Sequence, residues 1–102
     1  MNTDALISLV RAWGVERNII GPNGKATQIT QFLKLVEEVN ELEYGISDGN
    51  KDEIIDAIGD CTVVLILLAE TAGLRFEDCL QSAYDEIKGR TGQIINGQFV
   101  KD

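Results

Sequence analysis

A chain of 102 residues suits one domain spanning residues 1–102, and 44% apolar residues can supply its core. The net charge of −8 excludes a groove for duplex nucleic acid and a seat on an anionic membrane, both of which need a basic face. The absence of histidine excludes a Cys/His zinc set and a Cys–His catalytic pair, and it removes the usual general base.

Residues 3–13 carry apolar side chains at 6, 9, 10 and 13, the spacing of a helix, with Thr3 or Asp4 as its N-cap. Residues 14–26 hold three glycines and the only proline and read as a loop. Helical periodicity returns near Thr27 and runs to about Tyr44, with Gly45 as the expected C-cap. A turn at 47–50 leads into a third helix, from about Asn50 to Thr71, that stops at Gly73. A fourth helix is expected over 76–88, stopping at Gly89. Asn96-Gly97 lies between two short apolar-containing runs, which signals a C-terminal β-hairpin. The expected fold class is therefore all-α, a bundle of four to five helices with that hairpin appended.

The third helix is apolar on nearly every side from Cys61 to Ala69, so it must be covered all round. Three short companions do not suffice, and a homodimer or homotetramer is expected. The run is too short to span a bilayer. No basic region followed by an apolar one marks a signal peptide, so a cytoplasmic location is expected. Cys61 and Cys79 read as free, buried thiols of a reducing compartment.

The carboxylates are not scattered. At about 100° per residue, Gln31, Lys34, Glu38 and Glu41 share one stripe of the second helix, with Glu37 further round. On the third helix Glu53, Asp56 and Asp60 fall within an arc of about 60°. A short connection favours antiparallel packing, which lets the two stripes face each other. Carboxylates so placed either fan out into water or share hard divalent cations. Glu53 has a second explanation, because Asn50 with Glu53 three residues on resembles a capping box. An EF-hand reading of 48–59 fails, since its sixth position is Glu53 and its twelfth is Gly59.

The run Gln31-Phe-Leu-Lys34-Leu-Val-Glu37-Glu38-Val-Asn-Glu41-Leu, followed by Asp56-Ala-Ile-Gly-Asp60, resembles the MazG-like all-α nucleoside triphosphate pyrophosphohydrolases, small phage-encoded members included. Their signature is Glu-Glu-x-x-Glu on one helix and an acidic pair on the next. Many members read Glu-Leu-Gly-Asp at the second motif, and that glutamate falls on Ala57 here. Either Asp56 joins Asp60, which is the favoured assignment, or Glu53 and Asp56 supply the pair.

The resemblance implies hydrolysis of a nucleoside triphosphate between the α and β phosphates, with two or more Mg²⁺ or Mn²⁺ ions per site. Glu38, Glu41, Asp60 and Asp56 are the implied ligands, with Glu37 and Glu53 behind them. Glu37 and Glu38 are the candidate catalytic groups. A phage-encoded member would work in the host cytoplasm.

Substrate-binding candidates are Lys34, Gln31, Gln28, Trp13, Lys88, Arg90 and Asn96. Most have a plainer role as well. Lys34 can pair with Glu38, and Lys88 and Arg90 suit a helix C-terminus. Trp13 fits a core and Asn96 a tight turn. The base is not specified; a purine deoxynucleotide such as dGTP is favoured, ahead of dUTP, dCTP or phosphoribosyl-ATP. A non-catalytic helical dimerisation module is the reading from another class.

Overall fold

The computed structural model describes residues 1–102. Four helices follow one another: α1 (Thr3–Glu16), α2 (Gln28–Asp48), α3 (Lys51–Thr71) and α4 (Phe76–Ile87). They end in an antiparallel hairpin of β1 (Gly92–Ile95) and β2 (Gln98–Lys101). No helix is long and apolar enough to cross a membrane.

Local chemistry sets the helix ends. Asn2, rather than Thr3 or Asp4, caps α1 by accepting the Ala5 N–H at 2.8 Å. Helix α1 also runs three residues beyond the expected end at Trp13. Thr27 and Thr30 cap α2 reciprocally, each hydroxyl oxygen accepting the other's backbone N–H at 2.8 and 3.1 Å.

Gly45 is not a C-cap. Helix α2 continues through Ser47 and Asp48 and stops at Gly49, whose φ of +61° is the left-handed conformation that glycine adopts without strain. Gly45 serves packing instead. A Cβ built on it would stand 3.2 Å from both Glu53 Cβ and Ile54 N, so its bare backbone lets α2 lie close against α3. The expected hairpin forms with Ile95 opposite Gln98 across Asn96-Gly97. Both turn residues have positive φ, +52° and +78°, as a two-residue turn of this kind requires.

Two 21-residue helices joined by only Gly49 and Asn50 must run antiparallel. Helices α2 and α3 share the most extensive contact between elements, and α1 and α4 lean on α3. The core follows α3, where Ala57, Val64, Ile66, Leu67 and Ala69 are buried together with Ile7 and Ile20. The cysteines depart from expectation. Both are free thiols, but Cys61 is only partly covered and Cys79 is exposed, because α4 buries none of its residues.

Three elements are also joined by charge. Arg11 of α1, 12% exposed at its side chain, donates to Glu77 of α4 through both terminal nitrogens, one of them at 2.7 Å from Oε1. Its Nε lies 3.5 Å from a buried Glu70 oxygen of α3 that has no hydrogen-bond partner. The Arg11 guanidinium lowers the Glu77 carboxyl from 4.5 to about 2.

Because the folded value lies below the unfolded one, the unfolded chain takes up this proton first. The pair's contribution is complete above the unfolded value of 4.5 and fades as pH falls toward about 2. Urea midpoints measured down this range should therefore fall more steeply for the wild type than for Glu77→Gln. Parallel curves would remove the pair from the stability account.

Candidate active site

The α2–α3 hairpin places acids from both helices around one open cavity of about 380 Å³. Lys34, Glu37, Glu38 and Glu41 line it from α2, and Glu53, Asp56, Ala57 and Asp60 from α3. One lysine thus faces six carboxylates. The two stripes read from helical periodicity do meet. Glu37, placed off the stripe by the wheel arithmetic, lines the cavity as well.

The Glu53 ambiguity resolves on geometry. Asn50 Oδ1 accepts the Glu53 N–H at 3.2 Å, which caps the helix through backbone alone. The Glu53 carboxylate does not close a reciprocal box and instead lines the cavity. Ala57 is buried in the cavity wall among the acids.

The two adjacent glutamates have different surroundings. The Glu38 side chain is 14% exposed and that of Glu37 70% exposed. Lys34 Nζ bridges them at 3.6 and 3.7 Å. Glu38 and Asp60 also act on Cys61, whose thiol is pushed up first by burial and then by these two charges. Cys61 therefore stays protonated and is a poor nucleophile.

The donors are all carboxylate oxygens, the chemistry that hard cations such as Mg²⁺ and Mn²⁺ prefer. No three of them stand close enough to form a ready-made ligand cluster. Cation binding would have to draw their rotamers inward from both helices. In donor type the residues present fit such an ion.

The remaining candidates lie elsewhere. Gln28 and Gln31 do not line the cavity. Lys88 pairs with Asp85 at 3.3 Å and lies over the Tyr84 ring, and Arg90 pairs with Glu86 at 3.3 Å. Asn96 occupies the hairpin turn. Trp13 lines a separate apolar cleft with Leu6, Leu9, Val10, Val63 and Asp60. That cleft was missed as a unit. Its residues come from two helices far apart in the chain, although Leu6, Leu9, Val10 and Trp13 already shared one helical face.

An antiparallel pair of helices enclosing six carboxylates and one lysine defines an acid-centred helical protein. Residues 26–95 match the family model described as the MazG nucleotide pyrophosphohydrolase domain. That is more than half of the chain, and the chain belongs to this family. It is also similar to an uncharacterized 18.2 kDa protein of the rep-hol intergenic region of Haemophilus phage HP1 (strain HP1c1). The two are 40% identical over 65 residues, covering 64% of this chain and 38% of that protein. The chain therefore spans well under half the length of this curated relative. No solved structure matches it.

Proposed function

We propose that this chain is a divalent-cation-dependent hydrolase of (deoxy)nucleoside triphosphates that releases a monophosphate and pyrophosphate. The observation that carries the reading is the single cavity lined by Glu37, Glu38, Glu41, Glu53, Asp56 and Asp60, in a chain of the MazG family. A set so acidic repels a bare triphosphate and attracts one accompanied by Mg²⁺ or Mn²⁺.

Glu38, Glu41, Asp60 and Asp56 would hold the ions, with Glu53 and Glu37 at the margin. Bound ions would offset phosphate charge and make water more acidic. The remaining work falls to the protein's own side chains. Lys34, free to turn from Glu37 and Glu38, neutralises phosphate oxygens. Water oxygen bonds to phosphorus, the α–β bridging P–O bond breaks, and its electron pair leaves on pyrophosphate. The water's proton passes to a carboxylate, a role that suits the exposed Glu37 better than the enclosed Glu38. With no histidine in the chain, a carboxylate is the available acceptor.

A homo-oligomer belongs to this reading. Only nine residues are buried, and the chain exposes 7586 Å². A folded chain of 11.2 kDa exposes roughly 5,700 Å². The surplus, roughly 1,900 Å², exceeds the ~800 Å² each partner contributes to a standard interface. The strongly amphipathic α4 leaves Leu80, Tyr84 and Ile87 uncovered, and the hairpin is exposed along its whole length. Two strands alone are marginal in water. A second copy is the occupant these faces call for; sedimentation equilibrium giving an 11.2 kDa particle would contradict it. A cytoplasmic location, with its pools of nucleotide and Mg²⁺, accords with the same reading.

Incubation with mixed dNTPs and Mg²⁺ or Mn²⁺ should yield monophosphate and pyrophosphate in equal amounts. Orthophosphate with a diphosphate would refute the assigned bond. Absence of any hydrolysis would favour a non-catalytic helical module.

A further inference from the structure

Lys34 is the one cationic side chain lining the acid cavity. Its Nζ stands 3.7 Å from Glu37 Oε2 and 3.6 Å from Glu38 Oε1, so two adjacent carboxylates share a single positive charge. Both distances are long for a direct hydrogen bond, so charge holds the ammonium there.

Helix chemistry gives little reason for this arrangement. A glutamate supports a helix best when it precedes its lysine by four residues, and Lys34 precedes both of its glutamates. The cavity gives a better reason. Six carboxylates repel one another there, and Lys34 offsets part of that repulsion at Glu38, whose side chain is only 14% exposed.

We infer that Lys34 is a built-in competitor for the divalent cation, neutralising Glu37 and Glu38 until an ion displaces it and thereby coupling ion binding to nucleotide binding. The inference rests on the proposed cation-dependent hydrolysis. An ammonium and a metal ion that use the same Glu38 oxygen face each other as like charges, so one must leave. A divalent ion brings two charges where the lysine brings one, which favours the exchange. The lysine is half-exposed and such pairs are weak, so its opposition is modest and reversible.

The displaced ammonium does not return to water alone, since its flexible four-carbon stem keeps it at the cavity. There it meets the incoming phosphates. By linkage the effect runs both ways: the ion tightens nucleotide binding by releasing the lysine, and nucleotide tightens ion binding by retaining it. Removing the lysine should therefore move the two affinities in opposite directions, which no merely helix-supporting residue would do.

The test compares wild type with Lys34→Met, which keeps the stem and removes the charge, and with Lys34→Arg, which keeps the charge. Mn²⁺ is titrated alone at fixed ionic strength and followed by calorimetry. The Mn²⁺ Kd should fall roughly threefold to tenfold in Lys34→Met, the scale of one or two weak ion pairs, and stay near wild type in Lys34→Arg. A non-hydrolysable α,β-methylene dNTP titrated at saturating Mn²⁺ should bind more weakly to Lys34→Met than to wild type.

An unchanged or weaker Mn²⁺ affinity in Lys34→Met, with dNTP hydrolysis still present in wild type, would overturn the competition and leave the hydrolase standing. Tighter Mn²⁺ binding with unchanged nucleotide affinity would overturn the coupling. Tighter Mn²⁺ binding in a protein that hydrolyses no dNTP would support the competition while the functional reading fails. Circular dichroism checks the helices, and Lys34→Gln carries the same titrations should Lys34→Met lose its fold.

Discussion

Glu38→Gln should abolish turnover while leaving the far-UV circular dichroism helical. Glu38 is the most enclosed α2 carboxylate in the cavity, and its partner there is the half-exposed Lys34 at 3.6 Å. Glutamine keeps its shape and removes the charge that would bind a cation. Altering a group that merely supports a metal ligand costs about 10–100-fold in affinity or activity. Removing a ligand should cost at least roughly a hundredfold. The metal-free variant should be no less stable than the wild type, because one charge leaves a crowded acidic cavity and Lys34 keeps Glu37. A variant that loses activity together with its helical signal would trace the loss to folding. A variant that retains activity would remove Glu38 from the ligand set.

The second large effect is expected at Gly45→Leu. The first added atom already meets Glu53 Cβ and Ile54 N at 3.2 Å, and three more carbons follow it. The backbone atom of Ile54 cannot turn aside, so the helices must part. Overpacking of this kind costs about 1–3 kcal/mol. The strain falls on Glu53, which also lines the acid cavity, so a weaker response to Mn²⁺ should accompany the lower melting temperature. Gly49→Ala tests the alternative that any glycine near this turn behaves alike. No atom lies within 4 Å of a Cβ at Gly49, and its cost would come from the left-handed backbone alone. It should lower stability without changing the Mn²⁺ response. Equal effects on both properties in the two variants would undo the close-packing role of Gly45.

The site was legible where helical periodicity could carry it. Glu38, Glu41, Asp56 and Asp60 repeat at spacings of three and four, and an antiparallel hairpin suffices to bring them together. The Asn96-Gly97 turn was legible because its chemistry is local. Gly45 was misread for a reason internal to such arguments. A glycine after a helical run looks like a stop, and only the neighbouring helix shows that it is a contact.

The Arg11–Glu70–Glu77 cluster was invisible, since its members come from three helices and each alone resembles a solvated charge. The exposure of Cys79 was missed because the apolar face of α4 implied a cover that one chain does not provide. Lys88, Arg90 and Asn96 lie outside the cavity for the same reason that the hairpin projects: neither is enclosed by the α2–α3 pair.

The measurement that bears most directly on these ideas is anomalous diffraction from crystals grown with Mn²⁺ and a non-hydrolysable dNTP. Two or more manganese peaks should appear between α2 and α3, contacted by Glu38, Glu41 and Asp60, with the phosphates on their open side. A bound nucleotide with no ion among these three side chains would contradict the convergence of the two acidic helices on shared metal.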